Sequence, residues 1–285
     1  MTDVLRWSEG WPAPAKLNLM LRITGRRADG YHDLQTVFQF VDIADRLAFG
    51  LRDDGRIRRA SDLPGVAETD DLVIRAASLL RRQCPGSSGV DIRIDKRLPM
   101  GGGLGGGSSD AATTLVALNR LWGCGLDTDT LAGLGLELGA DVPIFVQGHA
   151  AWAEGVGERL QPLDLEQPWY LLIMPQVHVS TAEIFQAPEL TRNSSAITIR
   201  AFIAGDSQND CLPVVRERYL EVAQAIDWLE GFTKPRLTGT GACVFGAFSS
   251  EQQARAALKK MPGTWGGVVT RGLNRSPLLD RLGEE

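Results

Sequence analysis

Between Met100 and Ser108 this 285-residue chain carries six glycines, in the run Met100-Gly101-Gly102-Gly103-Leu104-Gly105-Gly106-Gly107-Ser108-Ser109-Asp110. Each glycine costs about 0.5–1 kcal/mol of extra chain entropy when held in one conformation. Close approach of backbone to a group rich in acceptor oxygens is the physical reason that best accounts for such a loop. The stretch from Ser109 to Trp122 is rich in Ala and Leu and reads as a helix. The loop therefore brings unpaired N–H groups and the positive end of a helix dipole to one place. That is phosphate-binding chemistry. Ser108 and Ser109 add hydroxyls that can donate to a phosphate or reach a metal. Ser108 is also a good N-cap, and the two roles are compatible.

Two familiar glycine motifs fit less well. Gly101-x-Gly103-x-x-Gly106 matches the dinucleotide fingerprint literally. The strand that opens such a fold is buried on both faces and reads as a continuous apolar run. Here Val90, Ile92 and Ile94 alternate with Asp91, Arg93 and Asp95, which gives one wet face. Gly102-x-x-x-x-Gly107 is followed by Ser108, where the nucleoside triphosphatase loop needs Lys.

Three further places could do chemistry. Asp141 sits between Gly139-Ala140 and Val142-Pro143-Ile144-Phe145-Val146. A carboxylate in so apolar a setting needs a cation beside it to stay charged. Lys16, a lone cation between Pro14 and the apolar Leu17 and Leu19, is the candidate. The structural alternatives are a turn or cap before Pro143 for Asp141, and a solvated strand position for Lys16. Tyr31 and His32 follow Gly30 in a polar loop, where a ring could stack on a base for about 1–3 kcal/mol; ordinary turn residues are the alternative.

The elements that must position these groups mix types without regular alternation, which argues for an α+β fold. Strands are expected at Leu17 to Thr24, Val37 to Val41, Arg46 to Arg52, Val90 to Asp95, Trp169 to Met174, after Gly241, and at Gly267 to Gly272. Helices are expected at Asp70 to Gln83, Ser109 to Trp122, Thr128 to Leu138, Val215 to Leu229 and Glu251 to Lys260. The proline-flanked stretch Pro162 to Pro168 reads as a linker.

Composition narrows the class. Hydrophobic content of 44% is ample for a core, and the formal net charge of −5 with scattered basic residues gives no nucleic-acid stripe. Cys84, Cys124, Cys211 and Cys243 lie far apart without C-x-x-C spacing and read as reduced thiols of a cytoplasmic protein. Three histidines are too few and too dispersed for a histidine-built zinc site. No signal peptide is expected at the N-terminus, and no apolar run approaches the ~20 residues of a membrane span.

Pro99-x-Gly101-x-Gly103-Leu104-Gly105-x-x-Ser108-Ser109-x-Ala111 resembles the phosphate loop of the GHMP kinases, the superfamily of galactokinase and the homoserine and mevalonate kinases. Pro14-Ala15-Lys16-Leu17-Asn18-Leu19 resembles its N-terminal motif, and Leu237-Thr238-Gly239-Thr240-Gly241-Ala242-Cys243-Val244-Phe245 its C-terminal glycine motif. The stretches Ile23 to Thr36 and Gly139 to Phe145 resemble one branch, whose acceptor carries a cytidine diphosphate group. The resemblance runs over nearly the whole chain, to Asn274-x-Ser276-Pro277-Leu278.

The resemblance implies a two-lobed α+β fold. A ribosomal S5 domain 2-like lobe would span residues 1–162 and a ferredoxin-like lobe 163–285, with ATP and acceptor meeting in the cleft. It implies transfer of the γ-phosphoryl of ATP, with Mg2+ on the phosphates, to the 2-hydroxyl of 4-diphosphocytidyl-2-C-methyl-D-erythritol. Lys16 and Asp141 are implied to pair across the site, Lys16 orienting the hydroxyl and Asp141 taking its proton. Lys96, Pro99, Met100, Gly101, Gly102, Gly103, Leu104, Gly105, Gly106, Gly107, Ser108 and Ser109 would hold ATP. The segment Asp70-Asp71-Leu72 would lie beside adenine and ribose. Relatives commonly carry Asn where this chain has Asp71, and an ionised Asp accepts without donating. Asn18, Tyr31, His32, Phe38, Val156, Thr181, Phe185 and Thr240 would bind the acceptor, its cytosine lying between Tyr31 and Phe185, although Phe185 also reads as plain core. No protein ligand of the metal is implied, and no nucleic-acid or membrane partner; a monomer or weak homodimer is expected. Another small-molecule kinase of the superfamily would leave the Gly30-Tyr31-His32 loop without a reason. A nucleotide-binding regulator without catalysis would have no use for both Lys16 and Asp141.

Overall fold

The computed structural model describes residues 7–99 and 101–283. Met100 lies outside the described residues, so its expected nucleotide contact is not located. The chain opens with two long antiparallel strands, β1 (Trp7–Arg26) and β2 (His32–Arg52). The two short strands expected at Val37 to Val41 and Arg46 to Arg52 are parts of β2. Next come β3 (Ile57–Arg59), α1 (Leu72–Gln83), β4 (Gly89–Asp95), α2 (Gly106–Leu121), α3 (Thr128–Leu138), α4 (Val142–Gln147), β5 (Ala151–Gly155) and β6 (Arg159–Pro162). The stretch 163–168 is irregular. It leads to β7 (Trp169–Met174), α5 (Thr181–Gln186), α6 (Ile199–Ile203), α7 (Leu212–Arg218), α8 (Leu220–Glu230), β8 (Arg236–Leu237), β9 (Val244–Phe248), α9 (Glu251–Leu258), β10 (Gly266–Leu273) and α10 (Pro277–Gly283).

The main path of the sheet runs β3-β4-β2-β10-β7-β9-β8, with only β3–β4 parallel among the described pairings. β10 joins the halves, pairing with β7 along its length and with β2 at Gly272 and Leu273. One hydrophobic cluster lies between the β2–β4 region and α1 to α4, with Phe40, Phe49, Leu80, Ile92, Leu115 and Phe145 at its centre and Leu278 of α10 closing it. A second gathers Ile173, Ile184, Val215, Val222 and Val244. A third, with Leu17, Val41, Leu172 and Phe245, includes Leu104 from the middle of the glycine run. Burying that leucine, worth about 1.5–3 kcal/mol, fastens an otherwise polar loop to the fold.

Several expectations are corrected. The second helix starts at Gly106, not Ser109, and its N-cap is Gly105 in the left-handed region. Ser108 therefore lies in the first turn and does not cap. The helix expected over Val215 to Leu229 breaks at Tyr219, whose extended backbone turns α7 into α8 so that Val214, Val215, Val222 and Ile226 all reach the second cluster. Cys84 and Cys124 are joined by a disulfide, with Cα atoms 5.4 Å apart, while Cys211 and Cys243 are free and buried. The reading of four reduced thiols fails because α1 and α2 pack side by side and bring together two ends that are 40 residues apart in sequence. Among the described residues no helix is long and apolar enough to cross a membrane.

Candidate active site

A cavity of about 590 Å³ opens between the glycine run, the start of α1, β1, α5 and the turn before β9. The wall includes Gly101 to Ser108, Pro99, Lys96, Lys16, Asn18, Phe38, Asp141, Val156, Thr181, Phe185 and Thr240. Three glycines of the run, Gly101, Gly103 and Gly105, are left-handed, and the last two shape the cradle. Gly103 has φ +73°, and a Cβ there would stand 2.3 Å from the Thr238 carbonyl oxygen. Gly105 has φ +74°, and a Cβ there would meet the Phe145 ring at 2.8 Å and Lys16 Cε at 3.1 Å. The first bond of α2 runs from Ser109 N–H to Gly105 O. The preceding N–H groups of Gly106, Gly107 and Ser108 belong to the unpaired first turn, the arrangement that receives an anion. Ser109 itself does not reach the cavity: its N–H is taken by Gly105 and its hydroxyl is fully buried without a partner.

The other half of the chain braces the cradle. Thr238 Oγ1 donates to Gly103 O at 3.1 Å, and Cys243 N–H to Gly102 O at 3.3 Å. On the near side Lys16 N–H donates to Leu104 O at 3.0 Å. β1 pairs with β2 on only one edge. The opposite edge holds the loop through the lysine's own backbone and, further along at Leu21, the chain around Asn209.

Lys16 and Asn18 share one face of β1, as strand alternation requires. Lys16 Nζ lies 3.1 Å from Asp141 Oδ2, donates to Asn18 Oδ1 at 2.6 Å, and stands 5.2 Å from the centre of the Phe38 ring. The lysine side chain is 3% exposed and that of Asp141 37%. Asp141 occupies the N-cap position of α4, but its carboxylate makes no capping bond. The cap reading describes its backbone; the side chain turns to Lys16. Asn18 is itself fixed, donating to Thr36 Oγ1 at 2.9 Å while its backbone N–H reaches Thr238 Oγ1.

Lys96 lies on the cavity wall and is also tied to two carboxylates. Its ammonium bridges Asp45, which is fully buried, and Asp110, at 2.9 Å. Asp45 Oδ1 also accepts from the N–H groups of Arg97 and Leu98. This trio ties the entry of the glycine run to the first turn of α2. The only signal for Asp45 was a charge among the apolar residues of β2, and one such charge points to no particular partner. Burial works against the charge on Lys96, but Asp110 and Asp45 outweigh it and raise its pKa. Burial, with repulsion from Asp45, pushes the Asp110 carboxyl up to about 7 against the pull of Lys96. A carboxyl raised in the folded state binds a proton that the unfolded chain has already released. Its contribution therefore falls as pH rises from the ordinary carboxylate range to about 7. Asp110→Asn is expected to remove this slope: wild type should lose about 2 kcal/mol relative to the variant between pH 5 and pH 8. Urea unfolding at both values checks this, and parallel pH profiles would refute it.

Asp71 is fully engaged. Oδ1 caps α1 through Val73 N–H at 3.0 Å, and Oδ2 pairs with Arg59 at 2.7 Å. The Asp71 carboxylate thus serves Arg59 and the helix end, and Leu63, Val66 and Leu72 form the apolar wall nearby. At the other end of the cavity, α5 presents Thr181 and Phe185 one turn apart, and Thr181 Oγ1 lies 2.9 Å from Thr240 Oγ1. His32 lies behind Phe185, with ring centres 5.2 Å apart. Tyr31 is 61% exposed and lines a smaller hollow that meets the main cavity at Ala140 and Val156. Tyr31 thus lines the smaller hollow and Phe185 the main cavity.

Comparison with known proteins matches this geometry. Residues 71–149 fit the family model of the GHMP kinases N terminal domain, and residues 189–267 that of the GHMP kinases C terminal. The chain belongs to the GHMP kinases. It is 61% identical over 272 residues to the 4-diphosphocytidyl-2-C-methyl-D-erythritol kinase of Nitrosococcus oceani, covering 95% of this chain and 97% of that one. It is 55% identical over 281 residues to the same kinase of Halorhodospira halophila, covering 98% and 97%. A crystal structure of 4-(cytidine 5'-diphospho)-2C-methyl-D-erythritol kinase superposes with a TM-score of 0.79 at 32% identity, covering 94% of this chain and 99% of that one. Within the superfamily, this chain is a member of that kinase family. A mevalonate kinase structure shares the fold, with a TM-score of 0.68 at 14% identity, covering 95% and 100%.

Proposed function

We propose that this chain transfers the γ-phosphoryl group of ATP to the 2-hydroxyl of 4-diphosphocytidyl-2-C-methyl-D-erythritol, giving ADP and the 2-phosphate in isoprenoid precursor synthesis. The observation that carries this reading is the Lys16–Asp141 pair, 3.1 Å apart, on the wall of the same cavity as the glycine cradle. Phosphoryl transfer needs positioning, charge neutralisation and a group to take the nucleophile's proton. The N–H groups of Gly106, Gly107 and Ser108 receive the nucleotide phosphates. Asp141, held by Lys16, accepts the proton of the acceptor hydroxyl, and the Lys16 ammonium keeps that hydroxyl oriented. Among the described residues there is no group of three or more His, Cys, Asp or Glu that could hold a metal. Mg2+ would be carried on the nucleotide phosphates, where it usually keeps several waters. Bound there, the ion neutralises phosphate charge.

Asn18, Phe38, Val156, Thr181 and Thr240 surround the acceptor, and its cytosine lies between Tyr31 and Phe185, beside His32. The nucleotide lobe comprises residues 1–162 and the second lobe 163–285. The enzyme works in the cytoplasm on small molecules, as a monomer or weak homodimer.

A single-turnover assay with Mg-ATP and a panel of alcohols tests the assignment. Transfer to the cytidylyl acceptor alone is expected, and preference for mevalonate or homoserine would replace the reading with another branch. Tyr31→Ala is expected to raise the KM for the acceptor about tenfold or more, as loss of a stacking contact does, with the KM for ATP unchanged. Equal changes in both constants would remove Tyr31 from base recognition.

A further inference from the structure

One cation near the base end of the cavity was singled out by no motif. Arg192 lies in the irregular chain after α5. Its Nη2 donates to the carbonyl oxygens of Phe185 at 2.9 Å and Ala187 at 2.7 Å, and its Nη1 to Leu190 O at 3.1 Å. Its Nε donates to His32 Nε2 at 3.2 Å. The carbonyls of Phe185 and Ala187 close the C-terminal end of α5, where the helix leaves acceptors unpaired and where a cation is favoured. A guanidinium has five donors in a rigid fork, so one side chain can serve all four acceptors. The start of β2 and the end of α5 share no strand pairing. Arg192 is the polar group that fastens them together.

The consequence falls on two residues of the proposed base pocket. Phe185 is held through its own carbonyl oxygen, which limits where its ring can sit. His32 accepts at Nε2, so its ring proton is on Nδ1 and its tautomer is fixed. Burial, then Arg192, then Arg26 act to lower the His32 pKa and keep the ring neutral. Arg26 faces His32 across the β1–β2 pairing. The His32 and Phe185 rings lie 5.2 Å apart at 31°. Phe185 lines the cavity, His32 backs it, and Arg192 is bonded to both residues.

We infer that Arg192 is a positioning residue for recognition of the acceptor's base, holding His32 against the back of Phe185. The inference rests on the pocket proposed above, and its test separates the two. Histidine proton NMR on the unliganded protein reads the Arg192–His32 contact without any substrate. In Arg192→Ala the His32 titration should move up, since a neighbouring positive charge is gone. In steady state the same variant should raise the acceptor KM about tenfold, a loss of about 1.4 kcal/mol. The KM for ATP and kcat should stay within about twofold, which also reports an intact fold. Arg192→Lys keeps the charge but not the fork, so it should restore the His32 titration and leave most of the KM defect.

An unmoved His32 titration, or equal rises in both KM values, would overturn the inference. A moved titration with normal acceptor KM would also overturn it. Tyr31→Ala then shows what has failed: a raised acceptor KM in that variant dismisses Arg192 alone, and a normal one dismisses the base pocket itself.

Discussion

Asp141→Asn is expected to lower kcat by about 10³-fold while the affinity for ATP stays within about twofold. General-base catalysis contributes roughly 10²–10⁴ when the base is well placed. The placement here is specific. Asp141 stands at the head of α4, its carboxylate is not used as a cap, and one oxygen is 3.1 Å from the ammonium of Lys16. Asn keeps the size and backbone position but cannot take a proton at neutral pH. The nucleotide cradle is built from Gly101 to Ser108 and braced by Thr238, Cys243 and the backbone N–H of Lys16; Asp141 meets the Lys16 side chain and not that backbone bond. ATP binding should therefore survive, measured by calorimetry in the absence of acceptor. Lys16 would keep Asn18 Oδ1 and the Phe38 ring as neighbours. A modest fall in Tm is expected from its lost counter-charge, and this must be recorded beside kcat. Turnover near that of the wild type would mean that the hydroxyl's proton leaves by another route. Loss of ATP affinity would mean that the pair is part of the cradle.

The parts of the site legible in the sequence were those that chemistry writes locally. A run of six glycines before a helix has few uses. A lone lysine between Pro14 and Leu17, and a carboxylate in the apolar stretch around Pro143, are conspicuous because each is costly without a partner. Their meeting in space was not readable from the residues alone and came from family resemblance. What could not be read was where each local signal is absorbed by packing. Ser108 has the right chemistry to cap a helix, yet Gly105 takes that position because only its left-handed backbone fits between Phe145 and Lys16. Lys96 reads as a free cation, yet on the cavity wall its ammonium is shared with Asp45 of β2 and Asp110 of α2. Asp71 lines the cavity, yet its carboxylate is taken up by Arg59 and the start of α1, which the sequence around it does not reveal. The disulfide depends on α1 and α2 lying side by side, a relation their separate periodicities do not contain. Local periodicity marked the longer helices and strands, but β3, α4, β5, β6, α5, α6, β8 and α10 are too short to carry a pattern of their own, and β2 was read as two pieces because Asp42 and Asp45 interrupt its apolar run.

The second large effect is expected from Gly103→Ala, which should raise the KM for ATP about 100-fold and the KM for the acceptor as well. The argument is steric. A Cβ at Gly103 would lie 2.3 Å from the Thr238 carbonyl oxygen and 3.1 Å from that of Gly241, and the residue has φ +73°. Both neighbours are backbone, so no side chain can swing aside. Thr238 O already accepts from Gly241 N–H at 2.9 Å, which holds the turn in place. The glycine run and the turn must therefore separate, breaking the bond from Thr238 Oγ1 to Gly103 O. Misplacing reacting groups by about 1 Å costs on the order of 100-fold. Thr240 belongs to the same turn and contacts Thr181 of α5, so the acceptor end is disturbed too. That double effect distinguishes this variant from Tyr31→Ala, which should touch the acceptor alone. Steady-state kinetics, with a thermal melt to verify folding, gives the answer. If Gly103→Ala binds ATP as the wild type does, the cradle does not need the glycine turn of the C-terminal half. The nucleotide site would then belong to the N-terminal residues alone.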